Sequence, residues 1–217
     1  MITRAVLFDL DGTLVDSLED LTDAVNHIRD AFSQPPLTAG EVRTKIGRGV
    51  RDLVQRSLPG LSDPDIKRAI GMFLEFNRMH IADKSSLYPG IPETLHELSA
   101  RGIRMAIVSN KNEDLSSLIV QTLRIQALFE RICGGDTFPE KKPSPLPLLN
   151  VAENMGLSPC ECIMAGDSIN DIQAARHAGI ASIACTWGYG SAEELAGADA
   201  FAHTPRELLA AITAGLR

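Results

Sequence analysis

Short apolar runs recur along this chain between stretches of mixed polarity, and their lengths and spacing predict most of its elements. Ala5–Phe8, Met105–Ser109, Ile132–Gly134, Cys162–Ala165 and Ala181–Cys185 are near-continuous apolar runs, as in strands buried on both faces. Between most of them apolar residues return at helical spacing. Thr94–Arg101 carries Leu95 and Leu98 on one face, Leu115–Leu123 and Leu146–Met155 behave similarly, Ile169–Ala178 is alanine-rich, and Glu207–Leu216 reads as a terminal helix. Strand and helix in alternation predict an α/β fold with an open parallel sheet and helices on both faces.

Ser17 to His80 breaks that rhythm. Its apolar positions keep a helical period through Leu18, Leu21, Val25 and Ile28, then Val50, Leu53, Val54 and Leu58, then Ile66, Ile70 and Phe73. Pro35-Pro36, Pro59-Gly60 and Pro64 punctuate it, and it holds no convincing strand. The pattern predicts an all-helical cap inserted into an open, Rossmann-like parallel-sheet core. The crossings fall near Val15–Ser17 and Asp83–Pro89, giving a core of residues 1–15 and 83–217 and a cap of residues 16–82. No repeat or low-complexity segment is evident.

With 217 residues and 44% apolar content, the chain can bury a substantial core. A net charge of −7 argues against a nucleic-acid surface and against binding to anionic membranes, but not against a small anion held in a locally positive cleft. Cys133, Cys160, Cys162 and Cys185 lack zinc-site spacing and read as reduced thiols. His27, His80, His96, His177 and His203 are scattered. With no leader pattern and no long apolar run, a soluble cytoplasmic protein is expected.

The chemistry gathers where the predicted strands end, which is where open parallel sheets bind ligands. Asp9 and Asp11 close the first run, two residues apart, so an extended backbone would point both carboxylates the same way. Such a pair is costly unless both face a cation or share a proton. Gly12 and Thr13 then turn the chain. Later strand ends carry Ser109-Asn110-Lys111, a loop with Lys141-Lys142-Pro143, and Gly166-Asp167-Ser168 followed by Asp171. Each alone is an ordinary cap or turn; together they suggest one site.

In this order the motifs resemble the haloacid dehalogenase superfamily, in the branch with a helical cap after the first strand. Phe8-Asp9-Leu10-Asp11-Gly12-Thr13-Leu14 matches the first family motif, Ser109-Asn110 the second, Lys142-Pro143-Ser144-Pro145 the third, and Gly166-Asp167-Ser168 with Asp171 the fourth. The resemblance covers nearly the whole chain. Asp16-Ser17, Ile46-Gly47-Arg48-Gly49 and Trp187-Gly188-Tyr189-Gly190 make it most similar to the phosphoglycolate phosphatases within that branch.

The resemblance implies Mg2+-dependent hydrolysis of a small phosphate monoester, 2-phosphoglycolate first among candidates. It makes Asp9 the nucleophile, forming an aspartyl phosphate. Asp11 becomes the acid that protonates the leaving alkoxide and then the base that activates water; this requires Asp11 to hold a proton that Asp9 has lost. Dehalogenases of the superfamily have no acid at that position, because halide leaves without a proton. Mg2+ would be held by Asp9, Asp167 and the backbone carbonyl of Asp11. Ser109 and the Asn110 amide would hold phosphoryl oxygens, with Gly12 and Thr13 as further backbone contacts to substrate. Lys142, directly before Pro143, would offset charge shared by Asp9 and the phosphate, with Lys141 the adjacent alternative. Asp171 would orient Lys142 or the metal's water shell. In the cap, Arg48 and secondarily Arg51 are candidates for the substrate's second anionic group, on a loop that Gly47 and Gly49 let turn tightly.

Alternatives stay open. A phosphosugar mutase of the same branch would carry a His soon after the first motif, where this chain has Leu18, Glu19 and Asp20. A phosphatase or pyrophosphatase for another small phosphometabolite would share every core motif. An inactive binding module is disfavoured by the presence of Asp9, Asp11, Lys142 and Asp167 together. The expected partner is a small phosphorylated metabolite, not nucleic acid or a membrane, and the chain is expected to be a monomer or homodimer.

Overall fold

In the computed structural model, which describes residues 3–215, the apolar run Ala5–Phe8 is strand β1 and all four of its residues are buried. Val6 and Phe8 enter one apolar cluster and Ala5 and Leu7 another, because successive side chains point to opposite faces. Both faces are covered, so the strand has no polar side. The remaining strands are β2 (Val15–Asp16), β3 (Ser86–Leu87), β4 (Arg104–Val108), β5 (Arg131–Cys133), β6 (Cys162–Gly166), β7 (Ala181–Cys185) and β8 (Ala200–Ala202).

Six of them form a parallel sheet in the order β5-β4-β1-β6-β7-β8. The order reverses at β1, which lies between β4 and β6. Phe8 is in register with Ile107 on one side and Ala165 on the other. Asp9, Ser109 and Asp167 therefore emerge together at the carboxyl edge, at the switch point where such sheets hold ligands.

Four helices separate β2 from β3: α1 (Leu18–Ala31), α2 (Ala39–Arg43), α3 (Val50–Ser57) and α4 (Asp63–Met79). Ser62 caps α4 by accepting from the Asp65 amide, and Pro64 sits in its first turn. These helices close around their own apolar core, which includes Leu21, Val25, Ile28, Leu53, Val54, Ile66 and Phe73. β2 and β3 pair antiparallel, Val15 opposite Leu87, so the outgoing and returning chain form one ribbon. The buried carboxylate of Asp20 ties α1 to the return by accepting from the amides of Lys84 and Ser85 and from the Ser85 hydroxyl.

The remaining helices are α5 (Ile91–Ala100), α6 (Glu113–Thr122), α7 (Leu146–Asn154), α8 (Ile169–Ala178), α9 (Ala192–Leu195) and α10 (Pro205–Ala214). Residues of α5, α6 and α10 pack on the Val6–Phe8 face of the sheet, and residues of α7 and α8 on the Ala5–Leu7 face. The α/β fold is as expected from the pattern. The strand expected at Met105–Ser109 is β4, one residue earlier, and the terminal helix runs Pro205–Ala214; Leu216, expected to close it, lies outside the described residues. The short strands β2, β3 and β8 were not expected. Two or three residues carry no period, and only pairing with a neighbour reveals them. Among the described residues no helix is long and apolar enough to cross a membrane.

Candidate active site

Beyond the carboxyl edge three buried carboxylates crowd one lysine. Oxygens of Asp9, Asp167 and Asp171 all lie within 4.8 Å of one another. Lys142 Nζ is 2.6 Å from Asp171 Oδ1 and 3.1 Å from Asp9 Oδ1. Asp171 is fixed independently of the lysine: its Oδ2 accepts from the amide and hydroxyl of Ser168, closing the capping box of α8. Burial pushes the Asp9 carboxyl up to about 6, with Lys142 opposing the rise and Asp171 adding to it. Burial raises Asp167 as well, reinforced by the charges of Asp9 and Asp171. For Lys142, burial acts to lower the pKa, but Asp171 and Asp9 outweigh it and the net shift is upward. The lysine is thus held as a cation by its acids.

Asp167 is clasped on every side. Its Oδ1 accepts from the Thr13 hydroxyl at 2.9 Å and its Oδ2 from the Tyr189 amide at 2.7 Å. A Cβ at Gly12 would lie 2.2 Å from Asp167 Oδ2, and φ there is +89°, so Gly12 is needed for both space and backbone conformation. A Cβ at Gly188 would lie 2.3 Å from the Asp167 Cβ. The Trp187–Gly190 turn is held in place by Trp187 Nε1 donating to the Thr13 carbonyl at 3.1 Å and by Arg43 of α2 donating to the carbonyls of Gly188 and Tyr189.

Thr13 is fully buried and its hydroxyl serves Asp167. The amides of Gly12 and Thr13 donate to the carbonyls of Val15 and Leu10 within the turn.

Asp11 takes a different direction from Asp9. Its Oδ1 accepts from the Ser17 hydroxyl at 2.6 Å, and Lys111 Nζ stands 3.3 Å from both of its oxygens. Asp11 therefore stays out of the close carboxylate cluster, although both aspartates line the same cavities. The chain turns after β1, with the amides of Thr13, Leu14 and Val15 donating to the Leu10 carbonyl. Lys111 had no assigned role in the sequence, where it read as the residue after Ser-Asn. Ser109 and Asn110 are buried at the end of β4. The Asn110 amide group donates to the carbonyls of Lys142 and Gly47, linking β4 to the lysine loop and to the segment between α2 and α3.

That segment, Ile46–Gly49, sits over Asp9 and is held from below. Lys141 Nζ donates to the Arg48 carbonyl at 2.7 Å, and Asn170 Nδ2 to the Gly47 carbonyl at 3.2 Å. Lys141 is thereby a strut for the loop, while Lys142 alone reaches Asp9. The segment borders two cavities that share Asp9 and Asp11. The larger, about 330 Å³, is polar and carries Arg43, Arg48, Arg56, Asp167 and Tyr189. The smaller, about 50 Å³, carries Ser109 and Lys111 against apolar residues of α1, α3 and α4. Arg48 lines the larger cavity. Arg51 lines neither and faces outward, its side chain 60% exposed and 3.8 Å from Asp63.

The carboxylates fit a divalent cation. Asp9 Oδ1 is buried without a hydrogen-bond partner among the described residues, Lys142 lying near it but outside hydrogen-bond geometry. Three buried acids with one ammonium leave net negative charge that a hard cation with oxygen ligands would offset. Asp171 is committed to the Lys142 ammonium and to Ser168, whereas Asp167 accepts one neutral donor at each oxygen and keeps further lone pairs, so Asp9 and Asp167 are the carboxylates that could face the ion.

The chain has counterparts among known proteins. The family described as haloacid dehalogenase-like hydrolase matches residues 6–185. A phosphoglycolate phosphatase of Chromobacterium violaceum is 40% identical over 210 residues, covering 94% of each chain. Phosphoglycolate phosphatase 1 of Pseudomonas aeruginosa is 38% identical over 90% of this chain and 74% of its own. The crystal structure of a predicted phosphoglycolate phosphatase from Haemophilus somnus superposes with a TM-score of 0.91 at 32% identity, covering 96% of this chain and 97% of that one. CbbY from Rhodobacter sphaeroides, solved in complex with phosphate, gives 0.79 at 27% identity over 95% and 96%.

Proposed function

Because the chain belongs to the haloacid dehalogenase-like hydrolases and is a phosphoric monoester hydrolase, we propose that it acts on a small acidic ester, 2-phosphoglycolate before others, through an aspartyl phosphate on Asp9. One observation carries the mechanism: at the switch point of the sheet, Asp9 keeps an unpartnered buried oxygen beside Lys142 and next to a cavity. The substrate follows from likeness over nearly the full length to a phosphoglycolate phosphatase. The helices of residues 16–82, which have their own apolar core, act as the specificity cap over a catalytic core of residues 1–15 and 83–217.

Asp9, Asp167 and the Asp11 carbonyl would hold Mg2+, which would supply the positive charge that lets a phosphate dianion approach a carboxylate. Asp9 attacks phosphorus in line with the leaving oxygen. Asp11 gives that oxygen a proton, then takes one from the water that cleaves the phosphoenzyme. The Ser109 hydroxyl and the Asn110 amide hold equatorial oxygens. Lys142 keeps Asp9 ionised and offsets charge on the phosphoryl group, while Asp171 holds Lys142 at its station. Arg48, with Arg43 and Arg56 on the larger cavity, draws the anion in.

The sign of the pH effect on metal binding follows from Asp9. Its pKa is raised on folding, so the metal-free fold holds that proton more tightly than the unfolded chain does. The contribution to stability is full below 3.8 and is lost as pH rises through about 6. Asp167 acts in the same direction. Cation binding needs the deprotonated acids. Saturating Mg2+ is therefore expected to raise the thermal unfolding midpoint by about 5 °C or more at about pH 7.5, and far less at about pH 5. Equal shifts at the two pH values would contradict the assigned ligands.

The substrate is tested by Mg2+-dependent phosphate release across a panel of phosphometabolites. Highest kcat/KM is expected on 2-phosphoglycolate. A flat response to it beside strong turnover of glucose 1-phosphate or pyrophosphate would replace the substrate assignment.

A further inference from the structure

The buried face of α4 consists of Ile66, Ala69, Phe73 and Asn77. Three of these pack into the apolar core of the helices; the fourth is an amide. Asn77 is 2% exposed, and its Oδ1 has no hydrogen-bond partner among the described residues. An apolar residue there would avoid the cost of burying an unpaired amide, so the choice of Asn calls for an explanation. Asn77 lines the smaller cavity, as does Lys111 from the end of β4. That chamber reaches from Asp9 and Ser109, where the phosphoryl group is held in the reading above, to these two polar side chains.

Lys111 is poised for a second partner. Its Nζ has three N–H donors, and Asp11 engages it only at 3.3 Å from each oxygen, longer than a close ammonium–carboxylate contact. Its side chain is only 7% exposed, so water does not take up the remainder freely. The chamber, about 50 Å³, has room for a group the size of a few water molecules. The Asn77 amide also carries Nδ2, which in either orientation of the amide is a donor able to serve an anion. A small anionic group flanked by apolar walls is what such a chamber would accept.

We propose that Asn77 and Lys111 are the specificity-determining pair that receives the carboxylate of the substrate, placing it in the small chamber while the phosphoryl group lies at Asp9. This rests on the phosphatase reading above and assigns the second anionic group to residues other than Arg48, which faces the larger cavity.

The test compares kcat/KM on 2-phosphoglycolate and on ethyl phosphate, which has the same two carbons and no carboxylate, using the full chain loaded with Mg2+. In the wild type the ratio favours 2-phosphoglycolate. Asn77→Leu and Lys111→Met are each expected to lower that ratio by about tenfold or more, the effect of losing a hydrogen bond to a charged group. Arg48→Ala is expected to lower both rates alike. If thermal unfolding shows that Asn77→Leu does not fold, Asn77→Asp serves in its place, since a like charge in the chamber lowers the ratio further. A wild-type preference that survives both the Asn77 and Lys111 variants overturns the pair and leaves the substrate assignment standing. A ratio that falls in Arg48→Ala alone moves the carboxylate to the larger cavity and also overturns it. A wild type with no preference for the carboxylated ester removes both readings together.

Discussion

Replacing Asp9 with Asn is expected to lower kcat by about 10⁴-fold or more on any accepted ester, because the variant lacks the oxygen nucleophile that carries the phosphoryl group. The change is nearly isosteric, so the loss is not a loss of structure. Stability is expected to move the other way. Asp9 sits desolvated beside Asp167 and Asp171, with one oxygen unpartnered. Removing its charge relieves crowding that Lys142 only partly offsets. Metal-free Asp9→Asn should therefore unfold at the same temperature as the metal-free wild type or higher at about pH 7.5, as happens when a strained functional group is neutralised. Phosphate release at wild-type rates from this variant would sink the nucleophile assignment. Lower stability in the metal-free state would sink the electrostatic account of the site.

Lys142→Met is expected to reduce kcat/KM by about 10³-fold, the scale of losing a preorganised charge at a transferring group. Lys142 is 2% exposed and is the cation that both Asp9 and Asp171 face. Its removal leaves buried acids without a counter-charge, a change that typically costs about 3–5 kcal/mol. The sign with pH follows from the raised carboxyls. Near pH 5 Asp9 and Asp167 carry more of their protons and the lost ammonium matters less, so the destabilisation of the metal-free variant should be larger at about pH 7.5 than at about pH 5. Lys141→Met is the control. Its ammonium reaches the Arg48 carbonyl and not Asp9, so a loss of less than about tenfold is expected from loosening the loop. If Lys141→Met were the more damaging of the two, the assignments of the adjacent lysines would have to be exchanged.

Much of the site was legible because its residues stand where local pattern changes abruptly. An apolar run with no polar face must be a buried strand, and a carboxylate or hydroxyl directly after it must surface at the sheet's edge. Asp9, Ser109 and Asp167 are such residues, and the register of β1 with β4 and β6 brings them together. Asp171 was expected to orient either Lys142 or the metal's water shell; it bonds Lys142 and also closes the cap of α8 through Ser168. Lys111 was passed over because a lysine after Ser-Asn carries no local mark of where its ammonium will go. Arg43 and Asn77 were silent for the same reason, and Tyr189 stood in a quoted motif with no partner assigned to it. Arg43 joins α2 to the Gly188-Tyr189 turn some 145 positions further on, and Asn77 is one amide within an apolar helical period.

From sequence alone come the α/β class, the interruption by helices, the set of strand-end residues, and through their motifs the family. These depend on periodicity and on the residue types at element ends, both of which are written locally. Only the tertiary structure decided how those residues are used. It turned Asp11 toward Ser17 and Lys111, gave the Thr13 hydroxyl to Asp167, and set Lys141 under the Ile46–Gly49 loop while Lys142 reaches Asp9. It also put an unpaired amide from α4 and a lysine from the loop after β4 on the walls of one cavity. The physical reason is the same in each case. A side chain's partner is chosen by rotamer and packing between segments far apart in the chain, and no local period carries that information.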